Sequence, residues 1–159
     1  MNKILVAYFS ASGETACLAQ TLAVAAQADA FAIEPVQPYT NADLNWNNAA
    51  SRSSVEMKDP ASRPALARGV DNMAQYDTIL IGFPIWWYQA PRIIETFLES
   101  YDFSGKTVVL FATSGGSGMG ETLKKLAPSC PNAKLIEGKV FRRSTGREQL
   151  AAWAEGLDL

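Results

Sequence analysis

Three apolar runs, Ile4 to Phe9 (ILVAYF), Thr78 to Phe83 (TILIGF) and Thr107 to Ala112 (TVVLFA), constrain this chain more than any other feature. None of them alternates apolar and polar side chains, so such a strand has no face suited to water. That pattern belongs to a parallel sheet covered on both faces. Segments with helical spacing lie between the runs. Glu14 to about Gln27 sets Cys17, Leu18, Leu22 and Ala25 at intervals near three and four, and Arg92 to Glu99 offers Ile93, Ile94, Phe97 and Leu98 as one buried side.

Weaker signals fill the rest. Phe31 to Val36 reads as a strand whose Pro35 suits an edge. A helix is expected from Pro64 or Ala65 to Met73, and another from Met119 to Leu126, stopped by Pro128. Lys134 to Ile136 reads as a short fifth strand, Gly138 to Arg142 as an extension of it or a small ribbon, and Arg147 to Leu157 as the final helix. The segment from Gln37 to Pro64 collects Asn, Ser, Asp and Pro around a lone Trp46 and is long for a connection, which suits a functional loop. Strand and helix alternate five times. The expectation is one doubly wound α/β domain over residues 1–159, with right-handed crossovers.

Composition excludes several chemistries. The 159 residues carry a net charge of -2, which argues against a dedicated nucleic-acid binder. Histidine is absent, so no imidazole serves as base or metal ligand. Cys17 and Cys130 match neither a zinc site nor a C-x-x-C pair, and no metal site is expected. Lys3 followed by an apolar stretch imitates a signal peptide, but a strand reading of Ile4 to Phe9 competes better. No stretch has the length to span a bilayer. A cytoplasmic location is expected.

In an open parallel sheet, ligands bind at the strand carboxyl ends where strand order reverses. Three unusual loops follow strands: SASGETA (Ser10 to Ala16), PIWWYQAP (Pro84 to Pro91) and TSGGSGMG (Thr113 to Gly120). The first offers Ser10, Ser12, Gly13 and Thr15 just before a helix, whose unsatisfied N–H groups suit a phosphate. Glu14 would contribute its backbone N–H while its carboxylate points away. The segment lacks both Walker A spacing and the dinucleotide fingerprint. The third loop combines Thr113, Ser114 and Ser117 with Gly115, Gly116 and Gly118, which lets backbone approach a flat ligand. Three adjacent rings, Trp86, Trp87 and Tyr88, cannot all point into a core, because adjacent strand residues face different ways. One tryptophan is expected to pack inward while the other and Tyr88 border a planar ligand. Spacing stops there: it indicates a phosphate and a planar ring without naming either.

VAYFSASGETACLAQTLA resembles the opening of flavodoxin-like proteins, and FPIWWYQAP and FATSGGSG are similar to the two loops that embrace a flavin ring there. The likeness covers essentially the whole chain. It implies a three-layer α/β/α fold with strand order 2-1-3-4-5, and flavin mononucleotide (FMN) as cofactor. Carried over, Ser10, Ser12, Gly13, Glu14, Thr15 and Ala16 would surround the phosphate. Pro84, Ile85, Trp86, Trp87 and Tyr88 would approach the ring, with Thr113, Ser114, Gly115, Gly116, Ser117 and Gly118 along its pyrimidine edge and ribityl side.

The resemblance implies two functional classes. Electron-carrier flavodoxins exchange single electrons with protein partners, but they are usually strongly acidic. WNNAAS (Trp46 to Ser51) also lacks the glycine those carriers commonly place beside flavin N5. Flavodoxin-fold quinone reductases take hydride from NADH or NADPH and pass two electrons to a quinone-like acceptor, and the proline-bounded aromatic loop looks like their substrate bed, with Trp46 and Tyr88 shaping the pocket. The reductase class is the expectation. A flavin-free structural or interaction module is the third reading. The exposed rings and the long Gln37 to Pro64 segment would also suit a homodimer.

Overall fold

The computed structural model describes residues 3–11, 13–114, 118–142 and 145–157. Strands β1 (Ile4–Tyr8), β2 (Asp29–Ala32), β3 (Thr78–Pro84), β4 (Thr107–Thr113) and β5 (Lys134–Phe141) form one sheet in the order β2-β1-β3-β4-β5. Every strand pairing is parallel. The expected doubly wound architecture and strand order are present. The chain first adds β2 on one side of β1 and then returns to add β3 on the other, so the crevice of strand reversal opens at the carboxyl ends of β1 and β3.

Among the described residues, five α-helices accompany the sheet: α1 (Glu14–Ala26), α2 (Arg52–Lys58), α3 (Arg92–Glu99), α4 (Thr122–Leu126) and α5 (Arg147–Gly156). Val6, Leu80, Val109 and Phe111 pack on one face with Leu18, Ala19, Leu22 and Ala23 of α1 and Leu150 of α5. On the other face, Leu5, Ala7, Ile79, Ile81, Phe83, Val108 and Leu110 meet Ile93, Ile94, Phe97 and Leu98 of α3 and Leu126 of α4. Alternate residues of each strand thus enter opposite cores. The central runs are apolar throughout for this reason, and each fully buried large side chain contributes about 1.5–3 kcal/mol.

Some elements differ from expectation. β2 ends at Ala32, four residues before the expected strand would. Beyond it the chain turns to residues 65–67: Pro35 bridges Leu66 antiparallel, Val36 N–H donates to the Ala65 carbonyl, and Ala67 N–H donates to that of Glu34. The same pairing replaces the helix expected from Pro64 or Ala65 to Met73, since residues held extended against Pro35 cannot also coil. α4 starts at Thr122 rather than Met119, because Gly120 takes a left-handed φ of 57°. Pro128 lies inside a closing 3-10 turn, Ala127–Ser129. β5 is a single strand that runs through an irregularity: Glu137 pairs with Leu110 and Lys139 with Phe111, leaving Gly138 as the extra residue. A Cβ on Gly138 would lie 2.1 Å from the Leu110 carbonyl oxygen, so only glycine fits without moving backbone. No helix among the described residues is long and apolar enough to cross a membrane.

Candidate functional site

The three loops meet at one end of the sheet through specific contacts. Thr15, in the first turn of α1, and Thr113, the last residue of β4, share a 2.6 Å hydroxyl–hydroxyl hydrogen bond, and both are buried. Ile85 N–H, just past β3, donates to the Thr113 carbonyl at 3.1 Å. Ser114 N–H donates to the Phe141 carbonyl at the end of β5, at 3.2 Å. Thr113 therefore ties the start of α1 to the ends of β3 and β4.

At the first loop, Ser10 Oγ accepts the Gly13 N–H at 3.0 Å and closes the turn ahead of α1. Gly13 is the N-cap, and among the described residues no side chain caps the helix. Glu14 is exposed, Ala16 is half-buried, and Thr15 is sealed off with its hydroxyl on Thr113. Ser12, Gly115, Gly116 and Ser117 lie outside the described residues, and Gly118 is exposed.

Pro84 closes β3 and Pro91 precedes α3, so the aromatic loop is short and pinned at both ends. Within it Trp86 and Gln89 exchange backbone hydrogen bonds, Trp86 N to Gln89 O at 2.9 Å and Gln89 N to Trp86 O at 3.1 Å. The two residues between them, Trp87 and Tyr88, take φ of 48° and 62°. Positive φ at both central positions is the turn geometry that normally selects Asn-Gly. Here two bulky rings occupy it, 44% and 65% exposed. Gly120 supports the turn from behind: a Cβ there would lie 2.6 Å from the Tyr88 carbonyl oxygen and 2.8 Å from Tyr88 Cβ.

Trp86 is the ring that packs inward. Its centroid lies 5.8 Å from that of Phe9 and 5.5 Å from that of Tyr39, both edge to face. Such pairs add about 0.5–1.5 kcal/mol beyond the area they bury. Tyr39 is itself fixed. Its hydroxyl donates to Glu56 of α2, while the Arg52 guanidinium sits 3.8 Å from its ring centroid and donates to Glu56 at 2.9 Å. Burial, followed by the bond to Glu56, pushes the Tyr39 phenol far above the ordinary tyrosine range, so it stays protonated.

Sequence reasoning did not foresee Tyr39, Arg52, Glu56 or α2. A signal was present: Ser51 caps the helix by accepting the Ser54 N–H, and Arg52 and Glu56 stand four apart as an ion pair. Trp46, by contrast, is 69% exposed.

A cavity of about 410 Å³ opens beside the turn, lined by Met57, Gln89, Arg92, Glu95, Glu99 and Lys125 among others. Its charges are mostly committed to each other. Buried Arg92 donates to Glu95 and to the Met57 carbonyl, both at 2.9 Å, and Arg63 grips Glu99 through two bonds of 3.0 and 3.1 Å. The Arg63 hydrogen bond holds the Glu99 carboxyl below the usual range. This cavity lies where α2 meets α3, and Gln89 of the aromatic turn forms part of its lining. Among the described residues, no group of Asp, Glu or Cys gathers in a way that could hold a metal ion.

Several solved structures share this fold. A candidate flavoprotein from Bacteroides eggerthii DSM 20697 is 48% identical, with a TM-score of 0.93 and coverage of 100% of this chain and 99% of that one. A second, from Bacteroides uniformis ATCC 8492, is 49% identical at a TM-score of 0.92, covering 97% and 98%. A flavoprotein from Lactobacillus acidophilus NCFM, solved in complex with FMN, shares the fold at 22% identity and a TM-score of 0.68, covering 97% and 99%. No curated protein matches the chain. The flavodoxin family model matches residues 3–157, a span that takes in all five strands and the three loops, and the chain accordingly belongs to the flavodoxin family.

Proposed function

We propose that the chain binds FMN at the three-loop crevice and is an oxidoreductase that takes electrons from NADH or NADPH and passes them to a quinone or similar flat acceptor. The observation that carries this reading is the aromatic turn. Trp87 and Tyr88 occupy left-handed backbone conformations that bulky residues disfavour, yet their rings are exposed. Strain kept at a surface position is a feature of ligand sites, and two unburied rings beside a parallel-sheet crevice suit a planar heteroaromatic.

The rest of the crevice fits the same cofactor. Gly13, the N-cap of α1, has no side chain to occupy the helix start, and among the described residues a Cβ there would meet nothing within 4 Å, which suits the approach of a phosphate. Neutral N–H donors and the helix dipole suffice there without lysine or arginine. Ser10, Ser12, Gly13 and the backbone of Glu14, Thr15 and Ala16 would hold the phosphate. Pro84, Ile85 and the aromatic turn would hold the ring, and residues 113–118 its polar edge. The two Bacteroides relatives, close to half identical, support a flavin as the ligand.

Bound FMN supplies the electron transfer itself. The chain positions it. Thr113 fixes the spacing between helix start and ring loop, and Trp86, backed by Phe9 and Tyr39, forms a dry wall. Tyr39, held protonated against Glu56, positions Trp86 and is not a proton source. Trp87 and Tyr88 leave an apolar, accessible surface on which a flat acceptor could lie.

Titration of the cofactor-stripped chain with FMN tests the first step. Saturable quenching of FMN fluorescence with a dissociation constant of about 1 μM or tighter is expected. Anaerobic mixing of the loaded protein with NADH and NADPH tests the donor. Inertness to both would return the chain to the electron-carrier reading.

A further inference from the structure

The net charge of -2 conceals a strong asymmetry. Residues 122–147 contain seven cationic residues, Lys124, Lys125, Lys134, Lys139, Arg142, Arg143 and Arg147, against one carboxylate, Glu137. Cations elsewhere are largely neutralised in place. Lys3 pairs with Asp29, Arg52 with Glu56, Arg63 with Glu95 and Glu99, Arg68 with Glu34, and Arg92 with Glu95. Among the described residues, Lys124, Lys125, Lys134, Lys139, Arg142 and Arg147 form no ion pair, and all six are exposed. Lys139 Nζ lies 5.7 Å from the centroid of the Phe141 ring.

These groups surround one edge of the sheet. Lys134 and Lys139 are on edge strand β5, Lys124 and Lys125 on α4 before it, and Arg147 opens α5 after it. The patch reaches the crevice, because Arg142 follows Phe141, which pairs with Thr113. Lysines on an edge strand also deter sheet-to-sheet pairing, which accounts for Lys134 and Lys139. It does not account for the cations of α4, Arg142 or α5.

We propose that the β5 edge docks an acidic protein. This rests on FMN in the adjacent crevice as proposed above, and makes that protein an electron donor or acceptor in addition to the small molecules named there. Exposed unpaired cations add little to folding, but together they steer and orient an oppositely charged partner. Lysine outnumbers arginine, which suits a reversible encounter better than bidentate phosphate recognition. Glu121, Glu137 and Glu148 interrupt the patch and are exposed. They would repel a continuous polyanion such as nucleic acid or an anionic bilayer, whereas a folded protein can place its carboxylates between them.

The test measures binding of the full chain to a strongly acidic [2Fe–2S] ferredoxin by fluorescence anisotropy, with duplex DNA and phosphatidylserine vesicles as competing probes. Affinity for the ferredoxin should fall about tenfold or more between about 20 mM and about 300 mM salt as screening shortens. Triple reversal K134E/K139E/R142E should abolish it. The charge-matched reversal K3E/K58E/R68E, away from this edge, should change it by about twofold or less. The neutralising set K134Q/K139Q/R142Q should give an intermediate loss, and circular dichroism checks that each variant is folded. Equal loss in both reversal sets, no ferredoxin binding, or tighter binding to DNA or vesicles would overturn the proposal. Anisotropy needs no flavin, so failure to bind FMN leaves this result interpretable.

Discussion

Thr15 and Thr113, 98 positions apart, share a buried 2.6 Å hydroxyl hydrogen bond where the loops after β1 and β4 meet. Replacing either by valine strands the other hydroxyl away from water, so each single variant should lose about 1–3 kcal/mol in urea denaturation. The double variant T15V/T113V should lose less than the sum, since both orphaned groups are then gone. Strict additivity would mean that the two side chains do not interact.

The turn at Trp87 and Tyr88 carries aromatic residues where Asn-Gly would be relaxed. Substituting W87N/Y88G should therefore stabilise the apoprotein by about 1–2 kcal/mol, read as a higher melting temperature. No gain, or a loss, would show that the left-handed backbone there is not strained.

Trp86 and Trp46 should respond to truncation by very different amounts. Trp86→Ala removes edge-to-face contacts with Phe9 and Tyr39 and should cost about 2–4 kcal/mol. Trp46, largely exposed, should cost about 0.5 kcal/mol or less on the same change. Equilibrium denaturation separates the two.

The central fold was readable because β1, β3 and β4 are buried on both faces, and unbroken apolar runs have few other solutions. The start of α1 and the whole of α3 were equally plain from their apolar spacing. What failed was decided by distant pairing. Nothing local tells Leu66 that it will bridge Pro35, so its apolar neighbourhood read as a helix. The inward packing of one tryptophan could be expected, but neither that it is Trp86 nor that its partner is Tyr39, because that contact depends on α2 placing Glu56 and Arg52 beside the tyrosine. The sequence located the aromatic loop, while its strained turn appears only in the backbone angles.

Burial and then the bond to Asp29 push the Tyr76 phenol up to about 12 from an ordinary value near 10. The folded protein thus keeps a proton that the unfolded chain releases. Its stabilising contribution is intact below about pH 10 and declines from there to about pH 12, and Tyr39 acts in the same direction. Denaturant midpoints should fall across that window. Tyr76→Phe should flatten the fall, and an unchanged slope in that variant would exclude Tyr76 as a contributor.

FMN affinity of the wild-type chain against W87A/Y88A, by fluorescence titration of cofactor-stripped protein, tests the central claim most directly. Wild type should bind at about 1 μM or below, and the variant at least about tenfold more weakly, or about 1.4 kcal/mol, while remaining folded. Absence of FMN binding by the wild type, or equal affinity in both, would contradict a flavin site built on this turn.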